Sequence, residues 1–327
     1  MSDLDSPRAR SNELGKTTRL TFAERLIEAK ESVQRALACG PPAATGPAAP
    51  SNTGRFIARS FGNMSGRRDY KLYIPSGYHG QPLPLVVMLH GCSQSPDDFA
   101  VGTRMNALAE ERTFFVVYPA QTTNANAGKC WNWFNPNDQR RGAGEPAIIA
   151  GLTRELVREY ADCNRVYVAG LSAGAAAAAV LGVTYPDLYA AVGIHSGLPA
   201  GAAHDKTSAM RAMRNGGVAG GGAIASVPAI VFHGDRDTTV HPRNGAEIVA
   251  RAAQGAMPTS VSSGSVTGGQ SYTRTLYADR TGKPALEHWV IHGAGHAWSG
   301  GSGAGSFTDP RGPDASREMM RFFFEQS

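Results

Sequence analysis

The segment Arg165–Pro186, RVYVAGLSAGAAAAAVLGVTYP, limits the fold of this chain more than any other stretch. Val166, Tyr167, Val168 and Ala169 make a short apolar run suited to a strand buried on both faces of a parallel sheet, and the alanines after Gly174 suit a helix lying close on it. Between them, Gly170-Leu171-Ser172-Ala173-Gly174 reads as a turn. The two glycines of a G-x-S-x-G turn clear room for a sharp bend that lifts the serine hydroxyl above the sheet edge. Such a short motif also arises by chance in a chain with 39 glycines, so the flanking strand and helix are what single out Ser172 as a nucleophile.

The remaining patterns repeat strand and helix. Strands are expected at Arg55–Phe61 and Asp69–Ile74, a hairpin turning at 62–66, and at Leu85–Leu89, Phe114–Tyr118, Tyr189–Ile194, Val227–Phe232, Tyr272–Tyr277 and Leu286–Ile291, the last two paired around Asp279–Lys283. Helices are expected at Asp97–Glu110, Glu145–Tyr160 and Asp314–Phe324. This alternation predicts an α/β fold with a mostly parallel central sheet and helices on both faces. The catalytic domain is expected over 54–327. Residues 1–53 read as an N-terminal arm, with an amphipathic helix candidate over Thr21–Leu37 and a Pro/Ala/Gly linker after it. The arm could dock on the body, pair with a copy of itself or touch a hydrophobic surface. The glycine-rich stretch 216–222 lacks GxxxxGK[ST] and follows no strand, so it reads as a loop rather than a phosphate cradle.

Composition excludes several classes. The net charge of +5 is spread without runs, and no basic tract interleaved with aromatics points to nucleic acid. No apolar run is long enough for a membrane span. The opening residues have no apolar core after their charges, which makes cytoplasmic location the default expectation and leaves secretion by another route open. Four scattered cysteines form no CxxC pair, so no zinc site or other metal is expected, and reduced thiols are the ordinary state. A bridge between Cys92 and Cys130 stays open, because both fall in stretches assigned to the site.

A serine hydroxyl needs a base, and the base needs a third group to hold its tautomer. Ser172, Asp237 and His296 each follow a different strand, and the order serine, acid, histidine is that of α/β-hydrolases. Asp235 is the reserve acid and His292 the reserve base. His90, His195 and His233 directly follow strands, where an imidazole usually bonds backbone. The main-chain N–H groups of Cys92, after the strand end at His90-Gly91, and of Ala173 are the candidates for an oxyanion hole. A thiol nucleophile at Cys92 is the lesser alternative. The irregular 25-residue run 120–144 holds Trp131, Trp133 and Phe134, which either line an apolar cleft or staple the loop to the body.

The segments LHGCSQSPDDFA, CWNWFNP, RVYVAGLSAGA, YPDLYAAVGIHSG, HGDRDTTVHPRNG and HGAGHAWSGG together resemble the polyhydroxybutyrate depolymerase family of esterases, related to feruloyl and acetylxylan esterases, over about 54–326. The resemblance implies that Ser172 is the nucleophile, Asp237 the acid and His296 the base, with the Cys92 and Ala173 amides as oxyanion hole. It also implies substrate contacts from Trp131 and Trp133, to which Trp298 in the last of these motifs is added. No cofactor is expected, and the partner is an ester, either a short-chain hydroxyalkanoate or oligomer or a feruloyl- or acetylxylan-type ester. The rival from another class is a non-catalytic protein that coats hydrophobic granules through its N-terminal helix. Oligomeric state is left open.

Overall fold

The computed structural model describes residues 53–217, 227–254, 257–279 and 282–326. The amphipathic helix expected at Thr21–Leu37 and most of the glycine-rich stretch lie outside these residues. The chain opens with strands β1 (Arg55–Asn63), β2 (Gly66–Ile74) and β3 (Leu83–Leu89), then α1 (Pro96–Thr103), α2 (Met105–Arg112) and β4 (Phe115–Pro119). It continues through α3 (Gly144–Glu159), β5 (Ala161–Leu171), α4 (Ala173–Thr184), β6 (Ala191–His195), α5 (Lys206–Asn215), β7 (Ala229–Gly234) and α6 (Arg243–Ala253). Strands β8 (Ser260–Ser265), β9 (Ser271–Ala278) and β10 (Pro284–Ile291), a short pair β11 (Trp298–Ser299) and β12 (Thr308–Asp309), and helix α7 (Ala315–Glu325) complete it.

One sheet carries the order β1-β2-β4-β3-β5-β6-β7-β10-β9-β8. Its middle, from β4 to β10, is parallel, and antiparallel hairpins close both edges. Side chains alternate across it. Leu85, Val87 and Leu89 join a core with Ile149, Leu156 and Leu181, whereas Val86 and Met88 join a second core with Phe99, Met319 and Phe322 on the other face. That two-sided burial explains why the middle strands are continuous apolar runs. The edge strand β8, SVSSGS, is polar and exposed and carries no such signal; with α5 and α6 it was not among the expected elements.

The helix expected over Asp97–Glu110 is two helices. Arg104 adopts a left-handed φ of 54° between them, and its guanidinium donates to the Gly300 carbonyl at 2.7 Å. Thr103 bonds back to Phe99, and the 300–308 loop docks at the break, where Ser302 N–H donates to the Gly102 carbonyl at 2.8 Å. A tertiary contact therefore ends a helix that the local pattern would have continued. The hairpin turn is also tighter than expected, with Asn63 paired to Gly66 across Met64 and Ser65.

Candidate active site

At the end of β5 the chain turns into α4 through Ser172, whose φ of 57° and ψ of −119° are rare for a residue with a side chain. The glycines around it leave no room for anything larger. A Cβ on Gly174 would sit 2.0 Å from the Leu89 carbonyl oxygen, and one on Gly170 would sit 2.4 Å from the Gly174 backbone. The Ser172 N–H donates to the His195 carbonyl at 3.0 Å, which ties the turn to the neighbouring strand β6.

Two strands further along the sheet, the loop after β7 presents Asp237. Its Oδ1 accepts from the Thr239 and Val240 amides at 2.9 and 2.8 Å, and its Oδ2 lies 2.7 Å from His296 Nδ1. Both side chains are nearly enclosed. Burial by itself would raise the Asp237 carboxyl, but hydrogen bonds from His233 and His296 and the Val240 amide outweigh it and hold the group far below the ordinary carboxylate range. Asp235 belongs to a separate, exposed pair: it accepts from His292 Nδ1 at 2.9 Å and from the Gly293 amide at 2.7 Å, while His292 Nε2 lies 2.9 Å from Thr273 Oγ1 on β9. His292 is thereby drawn toward the sheet edge. The loop bearing His296 runs the other way, and three residues on, the Ser299 amide donates to His195 Nε2 at 3.0 Å beside the serine turn. The Ser172 hydroxyl forms no hydrogen bond to His296 here.

The strand-end segment His90-Gly91-Cys92 lies against the serine, since a Cβ on Gly91 would be 3.6 Å from Ser172 Cβ. The Cys92 and Ala173 amides make no loop or turn hydrogen bond to described residues, which leaves two donors free near the hydroxyl. His90 Nδ1 lies 2.7 Å from the Gly91 carbonyl and its Nε2 accepts from the Gln121 amide at 3.1 Å. Burial pulls its pKa down, and the neutral ring this leaves can make both bonds. The Gly91 carbonyl and the Cys92 N–H share one peptide plane, so the imidazole fixes the direction of that amide. His195, also fully buried, is pulled down to about 3 by desolvation and by the neighbouring His233 and His296.

Cys92 and Cys130 form a disulfide, correcting the reading of the thiols as reduced and ruling out a thiol nucleophile at Cys92 in this state. The bridge clamps the 120–143 loop to the strand end. Beside that loop, Glu145 in the first turn of α3 gathers four groups: Arg68 at 3.0 Å, the Asn132 amide at 2.7 Å, the Asn132 side chain at 3.0 Å and the Gln121 side chain. Burial pushes its carboxyl above the ordinary range despite these donors.

The tryptophans pack into the body, and Trp131 and Trp133 also border a small recess with Ile149 and Leu181. Trp131 is fully buried and its Nε1 donates to the His90 carbonyl at 3.0 Å. Trp133 is buried against Phe134, and Trp298 is enclosed between His195 and Phe99 with its Nε1 on Ser316. All three rings are buried, as large apolar side chains gain more from leaving water than from facing it. Among the described residues no cluster of three or more His, Cys, Asp or Glu side chains could hold a metal ion, and no helix is long and apolar enough to cross a membrane.

A family model described as esterase PHB depolymerase matches residues 68–254, more than half of the chain. The chain belongs to that family. It is 34% identical over 263 residues to a poly(3-hydroxyalkanoate) depolymerase C of Paucimonas lemoignei, covering 76% of this chain and 62% of that protein. It is 30% identical over 202 residues to a probable acetylxylan esterase A of Aspergillus fumigatus, covering 56% and 53%. The chain therefore spans only about half to three-fifths of the length of these relatives. An acetyl xylan esterase structure from Aspergillus awamori superposes with a TM-score of 0.65 at 23% identity, over 84% of this chain and all of the other, and shares the α/β-hydrolase fold.

Proposed function

We propose that this protein is a serine esterase that cleaves carboxylic esters through an acyl-enzyme, with short-chain hydroxyalkanoate esters or oligomers as its substrates. The observation that carries this reading is the enclosed Asp237–His296 hydrogen bond in a loop that folds toward the strained Ser172 turn. In this mechanism the Ser172 hydroxyl attacks the ester carbonyl as His296 Nε2 takes its proton, and Asp237 holds the imidazole through Nδ1 and stabilises the cation. Negative charge on the carbonyl oxygen falls to the Cys92 and Ala173 amides, each worth roughly 10²–10³ in rate. The protonated imidazole then gives its proton to the departing alkoxide, leaving an acyl-serine. Water repeats the sequence with His296 as base and releases the acid.

The depolymerase name of one relative favours hydroxyalkanoate esters, and the acetylxylan esterase name of the other supports acetylxylan- or feruloyl-type esters as the second reading. The Cys92–Cys130 bridge favours an oxidising compartment over the cytosol expected from the opening residues. The test is turnover of hydroxybutyrate oligomers, p-nitrophenyl butyrate and methyl ferulate under one assay, with fluorophosphonate labelling of the intact protein. Ser172→Ala is expected to lose on the order of 10⁶ in kcat and all labelling. Absence of both turnover and labelling in the parent protein would leave the non-catalytic, granule-coating rival standing.

A further inference from the structure

The loop that carries Asp237 also walls a second recess. A cleft of about 860 Å³ lies between this loop, β10, the start of α6 and the end of α5, with Ser172 and His296 outside its lining. Pro242, Ala246 and Val290 contribute apolar surface to its lining. Arg214, Arg236 and Arg243 stand around it, all three exposed and none with an ion-pair partner among the described residues. The two carboxylates of the lining, Asp235 bonded to His292 and Asp237 to His296, keep their negative charge, and Arg236 acts electrostatically on Asp235. His288 adds no charge at neutral pH, because burial and the neighbouring His233 pull it down to about 4.

The three guanidiniums outnumber the two carboxylates, so the wall of the cleft keeps a net positive charge. The planar guanidinium fork matches a carboxylate, and an aliphatic body gains by contact with this apolar surface. We propose that this cleft binds the free carboxylate end of a short aliphatic ester oligomer, on the far side of the Asp237 loop from the imidazole. The choice of acid rests on the esterase reading above; the cationic cleft itself does not. The volume exceeds what a single hydroxy acid fills, which favours an oligomer end over the released monomer.

The experiment is calorimetric titration of the full-chain Ser172→Ala protein, which cannot turn its ligand over, with the linear 3-hydroxybutyrate trimer acid. Its methyl ester and the monomer acid serve as comparisons. The trimer acid should bind saturably, weaken with added salt, and lose at least about tenfold in affinity in R214Q/R236Q/R243Q, the loss of one charge-assisted contact. The methyl ester should be weaker by a similar factor. Equal affinity of monomer and trimer would assign the released acid as the occupant and overturn the oligomer end. Unchanged binding in the triple variant, or of the methyl ester, overturns the site altogether. These substitutions are on exposed side chains, and circular dichroism checks the fold. Because binding is read without turnover, a protein that hydrolyses p-nitrophenyl butyrate yet shows no charge-dependent binding sinks this inference alone. One that binds yet resists fluorophosphonate sinks the esterase reading alone.

Discussion

Two aspartates two positions apart end in different imidazole pairs, and burial separates them. The Asp237–His296 pair is enclosed, whereas the Asp235–His292 pair is about two-fifths exposed. Asp237→Asn should therefore lower kcat by about 10⁴, because an amide can hold the wrong tautomer. Asp235→Asn breaks an exposed pair worth about 1 kcal/mol or less and should leave kcat/KM within about threefold. Steady-state kinetics of the two variants checks both; equal losses would mean that the acid is misassigned. At the serine turn, Gly174→Ala forces a methyl onto the Leu89 carbonyl at 2.0 Å. It should destabilise the fold by about 1–3 kcal/mol and displace the hydroxyl, read as a fall in both melting temperature and fluorophosphonate labelling.

The element that the sequence left least defined, the 120–143 loop, is held by two devices at the strand end where the candidate oxyanion amide sits. The first is the disulfide, which closes a separation of 38 residues. Cys130→Ser should cost about 2–4 kcal/mol of stability by denaturant melting. The second is Glu145, whose carboxylate gathers Arg68, Asn132 and Gln121, the residue whose amide holds the His90 ring. Arg68 is as buried as Glu145, so Glu145→Ala strands a buried cation and should cost about 3–5 kcal/mol. Its loss of kcat should exceed any change in KM, since the loop acts through the direction of the Cys92 amide. A change confined to KM would show that the network does not reach the oxyanion side. Nothing local in the sequence marks this role: a carboxylate in the first turn of a helix ordinarily serves the helix dipole.

Across the whole molecule, the buried histidines tie stability to pH. His195 is depressed to about 3 and His90 is also lowered, so folding favours their neutral forms. The unfolded chain takes up these protons as pH falls below about 6.5 and the folded one does not, so the stability they allow is present above that value and is lost toward the folded pKa. His195 alone should give a slope of about 1.4 kcal/mol per pH unit between about pH 6 and 4. Urea melts of the parent and His195→Gln over that range check it; the variant, whose amide can still accept from Ser299, should show a shallower slope. Below about pH 4 the depressed Asp187, Asp237 and Glu287 add to the loss as they protonate. The sequence alone determined the parallel middle of the sheet, because strands buried on both faces must be apolar throughout, and it determined the serine turn, because only small residues admit that bend. Chain order also pointed to Ser172, Asp237 and His296. Tertiary structure alone decided which aspartate meets which histidine, where the helix after β3 breaks, that the tryptophans face inward, and that a loop without periodicity condenses on one carboxylate. Each of these depends on contacts between residues far apart in the chain, and the spacing along a strand or helix carries no record of them.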